Sequence, residues 1–83
     1  MKSVLRRIVE RMGARGDAPR HRLQSELELA DELGIAVEDV RIAVQMMRAQ
    51  GLLEPRVEGG EPGLALSEEG LREYRAYRGE EPA

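Results

Sequence analysis

Between residues 27 and 53 the apolar positions keep a helical period, break at Gly34, resume, and break again at Gly51. Leu29, Ala30 and Leu33 form the end of one stripe, and Val37, Val40, Val44 and Met47 form the next. Spacings of three and four place each set on one face of a helix. Gly is the residue that most readily takes the left-handed conformation in which helices end. Two amphipathic helices separated by so short a break must fold back on each other to bury their stripes. In a chain of 83 residues, everything else has to complete a core around that pair.

The flanking segments carry their own punctuation. Val4, Leu5, Ile8, Val9 and Met12 recur at helical spacing, which predicts a first helix over 3–13, ended by Gly13. Residues 14–24 hold Gly16, Asp17 and Pro19 and read as a loop, with room for a short strand near His21–Leu23. Ser25-Glu26-Leu27-Glu28 is a capping box, so the second helix is expected over 26–33 and the third over 37–50. Beyond Gly51 the period changes. Residues 52–57 and 63–66 flank Glu58-Gly59-Gly60-Glu61-Pro62, a hairpin with a Gly/Pro tip, and Pro55 marks an edge or irregular strand. Ser67 caps a last helix over 68–78, with Leu66 and Leu71 placed as a hydrophobic staple. Residues 80–83 read as a disordered tail.

This order resembles the winged helix-turn-helix fold of bacterial and archaeal transcription regulators. Family members carry Glu-Leu-Ala-x-x-Leu-Gly-Ile, which stands here as Glu28-Leu29-Ala30-Asp31-Glu32-Leu33-Gly34-Ile35. Val40, Val44 and Met47 match the inward positions of the family's second motif helix, and Gly51-Leu52-Leu53 matches its exit. Leu66-Ser67-Glu68-Glu69-Gly70 is similar to the Leu-Thr-x-x-Gly that follows the wing. The resemblance covers residues 3–78. It implies a mainly α fold with a small β-hairpin: a three-helix core, a wing and a C-terminal helix, as one domain over 1–79. It also implies a DNA-binding regulator, cytoplasmic, working as a homodimer. Winged helices serve as protein-interaction modules too, so the fold leaves two function classes open.

Composition narrows what else the chain can be. The sequence has no Cys, which removes disulfides and thiolate chemistry. No run approaches a membrane span, and residues 1–22 lack the apolar core of a signal peptide. The single His, the scattered acids and the absence of a Gly-rich loop after a strand give no case for an enzyme, a metal site or a cofactor. The net charge of −3 conceals an asymmetry. Residues 1–22 carry seven basic side chains against two acids, whereas residues 23–83 carry six Arg against 14 acids. A nucleic-acid binder normally shows a basic footprint, so only the N-terminal third favours that role.

With Val40, Val44, Met47 and Gly51 turned inward, the outer ridge of the third helix is Glu38, Ile42, Gln45 and Ala49. Arg41 and Arg48 flank it on one side, Asp39 and Met46 on the other. Arg41, Gln45 and Arg48 suit a major groove, since Arg reads guanine and amides read adenine. Glu38 and Asp39 would be repelled by phosphate; they equally suit the positive end of the helix dipole, offsetting Ala36 where the family often has a capping Ser. Ile42 and Met46 form an outward apolar pair with Ala49, open to a partner protein, to a thymine methyl or to no role. The protein-interaction alternative therefore rests on Glu38, Ile42 and Met46.

The remaining candidates lie outside that helix. Arg20, His21, Arg22 and Ser25 precede the second helix, where they could hold a phosphate or simply form a solvated loop. Arg6, Arg7, Arg11 and Arg15 read as a solvated face of the first helix rather than a second DNA contact. Arg56 could reach DNA from the wing, although Glu54, Glu58 and Glu61 make that wing acidic. Tyr74 and Tyr77, with Leu71, give the last helix an apolar stripe that packs on the first helix or, alternatively, forms a dimer seam.

Overall fold

The computed structural model describes residues 3–14 and 26–80, the side chains of Glu58, Glu61 and Glu80 excepted. Six elements follow in order: α1 (Val4–Ala14), α2 (Glu26–Leu33), α3 (Val37–Ala49), β1 (Leu53–Glu58), β2 (Glu61–Leu66) and α4 (Glu68–Glu80). This is the expected winged helix-turn-helix order. The expected strand near His21–Leu23 and the Ser25 cap lie outside the described residues, as do Arg15, Arg20 and Arg22. Among the described residues no helix is long and apolar enough to cross a membrane.

Two glycines end the two motif helices by the same device. Gly34 and Gly51 both take positive φ, at 65° and 74°. The Gly34 N–H donates to Asp31 O and the Ile35 N–H to Ala30 O, at 3.3 and 3.1 Å. At the end of α3 the Gly51 N–H donates to Arg48 O and the Leu52 N–H to Met47 O, at 3.1 and 2.8 Å. This paired pattern is the Schellman motif, which satisfies carbonyls the helix leaves free and turns the chain sharply. An L side chain at either glycine would be strained. Each turn also sends an apolar residue, Ile35 or Leu52, back toward the core.

The core is aliphatic. Ile8, Val9 and Met12 from α1, Leu29 from α2, and Val40, Ala43, Val44 and Met47 from α3 are buried together with Leu52, Leu53 and Leu66. α2 contributes one fully buried residue because it is short and only one of its faces meets α3. Ser3 opens α1 by accepting from the Arg6 N–H at 3.1 Å, a cap the sequence reading did not assign.

β1 and β2 form an antiparallel pair with Leu53 opposite Leu66 and Glu58 opposite Glu61. The tip is therefore two residues, Gly59-Gly60, both at positive φ, rather than the five expected. Both residues of a type I′ turn need that conformation. Counting from this turn, Pro55 opposite Leu64 and Pro62 opposite Val57 both fall at non-hydrogen-bonded positions. Neither missing N–H removes a ladder bond, which is how two prolines fit in one short hairpin.

α4 is docked by the residues that introduce it. The Ser67 N–H donates to Leu52 O at 3.0 Å, the Ser67 hydroxyl donates to Gly51 O, and the Gly70 N–H donates to Ser67 Oγ at 3.1 Å. A side chain on Gly70 would collide with Leu52 O. One serine thus caps α4 and ties it to the exit of α3. Leu66 is fully buried and Leu71 packs against the core, as the staple expectation requires.

One boundary differs from expectation for a packing reason. Gly13 does not end α1; it is a buried residue within it, and α1 continues to Ala14. The Tyr74 ring from α4 lies directly over it, in space that a Cβ would occupy. Gly13 is there to admit the ring, not to stop the helix. The Gly13→Ala variant should lose about 1–2 kcal/mol in urea unfolding, because overpacking outweighs the gain of about 1 kcal/mol in helix propensity. In a Tyr74→Leu background the same substitution should become neutral or stabilising.

Candidate nucleic-acid interface

α3 carries its apolar stripe inward and leaves the opposite ridge in solvent. Val40 and Met47 are fully buried, whereas Ile42 and Met46 are 58% and 50% exposed. Glu38, Asp39, Arg41, Gln45, Arg48 and Ala49 are exposed as well. The helix therefore exposes Glu38, Ile42, Gln45 and Ala49 along its outer ridge, with Arg41 and Arg48 on one flank and Asp39 and Met46 on the other, as the wheel requires.

The electrostatics of this surface are mixed. Arg41 Nη1 lies 2.8 Å from Glu38 Oε1, one turn back on α3, and Arg41 Nε lies 3.8 Å from Glu26 Oε2 on α2. The i, i+3 pair follows from spacing alone. Glu26 could not be found that way, because its approach depends on how α2 crosses α3. Arg41 is therefore held between two carboxylates, one from each motif helix. Arg48, near the other end of α3, has no ion-pair partner among the described residues and is the more available cation. Exposed pairs of this type contribute roughly 0–1 kcal/mol, so Arg41 can be drawn away by a stronger anion.

Two acids occupy the first turn of α3 for a local reason. Ala36 is the N-cap in extended conformation, and no side chain caps the helix. Glu38 and Asp39 supply negative charge where the free N–H groups are concentrated. The same two acids thus stabilise the helix end and place negative charge on its outer surface.

Arg56 does not extend freely from the wing. Its Nη2 lies 3.2 Å from Glu54 Oε1 on the same strand face, and both side chains are partly buried. Alternate residues of a strand share a face, so this pair was legible in the spacing. Near the tip Val57 is 73% exposed, a second apolar position on the outside of the wing.

Of the basic face expected on α1, Arg6 and Arg7 are half-buried, Arg11 is exposed, and all three have partners within the fold. Arg6 pairs with Glu10 at 3.3 Å, sits 4.5 Å over the Tyr77 ring and reaches Tyr77 O at 3.4 Å. Arg7 donates to Leu33 O at 2.9 Å, at the C-terminal end of α2. Arg11 pairs with Glu32 of α2 at 3.0 Å. These arginines tie α1 to its neighbours because their long stems cover apolar surface while their heads reach carbonyls and carboxylates. Tyr74 and Tyr77 are spent on the same α1–α4 contact. Among the described residues no three His, Cys, Asp or Glu side chains group as a metal site.

The architecture is shared with known structures. Over 94% of its length the chain superposes on Lactococcus lactis ZitR, a double-alanine variant in apo form, with a TM-score of 0.75 at 14% identity. It covers 56% of that chain. A second ZitR structure, a single-alanine variant, gives 0.74 at 13% identity with 51% of its chain covered. TubR, solved bound to 24 bp of tubC from Bacillus thuringiensis serovar israelensis pBtoxis, gives 0.71 at 12% identity over 93% of this chain and 82% of that one. The chain thus spans about half the length of the ZitR structures it matches. No family model and no curated protein matches the sequence. The chain has a winged-helix fold.

Capping chemistry gives a direct check on the role of the acidic first turn. The Ala36→Ser variant should gain about 0.5–1 kcal/mol in urea unfolding. Replacing Glu38 by Gln and Asp39 by Asn should cost about 0.3–1 kcal/mol for each charge removed. A loss well above that range would show that the acids do more than complement the helix end.

Proposed function

We propose that this chain is a small DNA-binding winged helix, a transcription regulator that lays α3 in the major groove. The observation that carries the reading is the freestanding outer ridge of α3 in a fold that matches, over 93% of the chain, a protein solved on duplex DNA. Gln45 and Arg48 are the groove-facing donors, and Arg41 joins them by exchanging its carboxylate partners for a base edge or phosphate. Arg20, Arg22 and Ser25, which precede α2 in the sequence, hold phosphate, and Arg56 meets the backbone from the wing once it leaves Glu54. The protein works in the cytoplasm as a homodimer, with no cofactor and no catalytic step.

A second reading has its own support. Ile42 and Met46 stand in solvent one turn apart, and the acids that hold Arg41 weaken the face toward phosphate. That combination suits a protein-interaction module whose contact is built on Glu38, Ile42 and Met46.

Titration of a fluorescent random duplex, followed by anisotropy, separates the two. DNA binding predicts measurable association at about 50 mM salt, falling with a log–log salt slope near −3 if three or four phosphates are neutralised. Replacing Arg41 and Arg48 by Ala should weaken association roughly tenfold or more and flatten that slope. No association at about 50 mM salt would falsify the DNA reading and leave the interaction module.

A further inference from the structure

The outer surface of α3 changes character from one flank to the other. Beyond the acidic first turn, the exposed side chains run around the wheel as Arg48, Arg41, Gln45, Ala49, Ile42 and Met46. At about 100° per residue they span an arc of about 160°. The order across the helix is therefore cation, amide, small, apolar. The major-groove edge of an A·T pair follows the same order: backbone phosphate, adenine N7 and N6, thymine O4, thymine methyl. A single exposed aliphatic residue calls for no explanation. Here Ile42 and Met46, at 58% and 50% exposure, stand together beside Gln45, the one amide of α3.

We propose that Ile42 and Met46 are specificity-determining residues that cover thymine methyl groups in the major groove, with Gln45 on adenine, so that α3 selects A·T-containing duplex. An amide donates to adenine N7 and accepts from its N6 amino group, and an aliphatic side chain packs on the thymine methyl. The ridge offers the other bases less. Guanine is read by Arg or Lys, and both arginines of α3 lie on the cationic flank, about 40–60° from Gln45 on the wheel. Arg41 is moreover held by Glu38 and Glu26, at 2.8 and 3.8 Å. Cytosine is read by a carboxylate, and Glu38 is the one engaged by Arg41. Arg41 and Arg48 are placed for phosphate on the adenine strand, which leaves the apolar flank to the thymine strand.

This base preference rests on the DNA reading above and gives its least expected feature a role. Two aliphatic side chains on the outside of a recognition helix weaken its attraction for phosphate. They strengthen its choice among sequences, because the methyl group is the one apolar mark in the major groove.

Replacing thymine by uracil deletes that methyl and leaves every hydrogen-bonding group of the base pair in place. The probes are an alternating d(A-T) duplex and its deoxyuridine counterpart, titrated by fluorescence anisotropy at about 50 mM salt alongside the random duplex. The wild type should bind the thymine duplex about fourfold more tightly for each methyl covered, hence about 15-fold with both residues seated. The Ile42→Ala, Met46→Ala variant should lose that preference. It should still bind the uracil duplex within about twofold of the wild type, because its phosphate contacts are unchanged. Circular dichroism should show unchanged helix content, since both residues are exposed in the chain. Association with the random duplex combined with equal affinity for thymine and uracil overturns the methyl contact and leaves the DNA reading standing. A thymine preference that survives in the double variant overturns it too, since the preference then comes from duplex shape. Absence of association with every duplex overturns both.

Discussion

The junction at Ser67 sets the position of half the molecule. Its N–H and hydroxyl donate to Leu52 O and Gly51 O, and its oxygen receives the Gly70 N–H that opens α4. Through these bonds the exit of α3, the two open ends of the hairpin and the start of α4 meet within a few residues. Leu53 faces Leu66 across the first rung, so the wing begins at the same point. A hairpin of two strands is marginal by itself; here it is closed at one end by a type I′ turn and at the other by a capped helix. The same junction fixes the angle at which α4 returns over α1, where Tyr74 covers Gly13.

That construction explains why the outer ridge of α3 is free. α1 takes the inner stripe of α3 from one side and α2 from the other, while the wing and α4 attach at its end. The arginines of α1 are consumed in the same effort, with Arg7 on the end of α2, Arg11 on Glu32 and Arg6 on Tyr77. The positive charge of Arg6, Arg7 and Arg11 is thus already partnered within the fold. Among the described residues, α3 leaves Glu38, Asp39, Arg41, Ile42, Gln45, Met46 and Arg48 exposed.

Much of this was legible in the amino-acid order, and the reasons are local. Gly34 and Gly51 announce helix ends because left-handed geometry is chemically restricted, and Ser67 announces a start because few residues cap well. The inward positions Val40, Val44 and Met47 follow from period alone. Gly13 was misread because a glycine that admits a neighbour's ring looks, in sequence, like one that ends a helix. Only the approach of α4 distinguishes them. The tip of the wing was read too long because Glu58, Glu61 and Pro62 are poor strand formers, whereas a two-residue turn with the prolines at outward positions accommodates all three. Glu26 escaped notice as a partner of Arg41 because its position depends on a helix crossing, which spacing does not encode.

The first turn of α3 is where stability and recognition become one problem. Ala36 offers no hydroxyl, so Glu38 and Asp39 stand in for a cap by charge. A serine would have satisfied the helix end without placing two anions on the outer surface. Having used acids instead, the chain presents a helix whose leading end repels phosphate and attracts cations. The nearest cation, Arg41, is drawn in and shared with Glu26, which leaves Arg48 as the charged donor at the far end. A duplex approaching this ridge must separate Arg41 from both carboxylates, at a modest cost for exposed pairs. The choice of alanine at one capping position thereby propagates into which partners the outer face of α3 can accept.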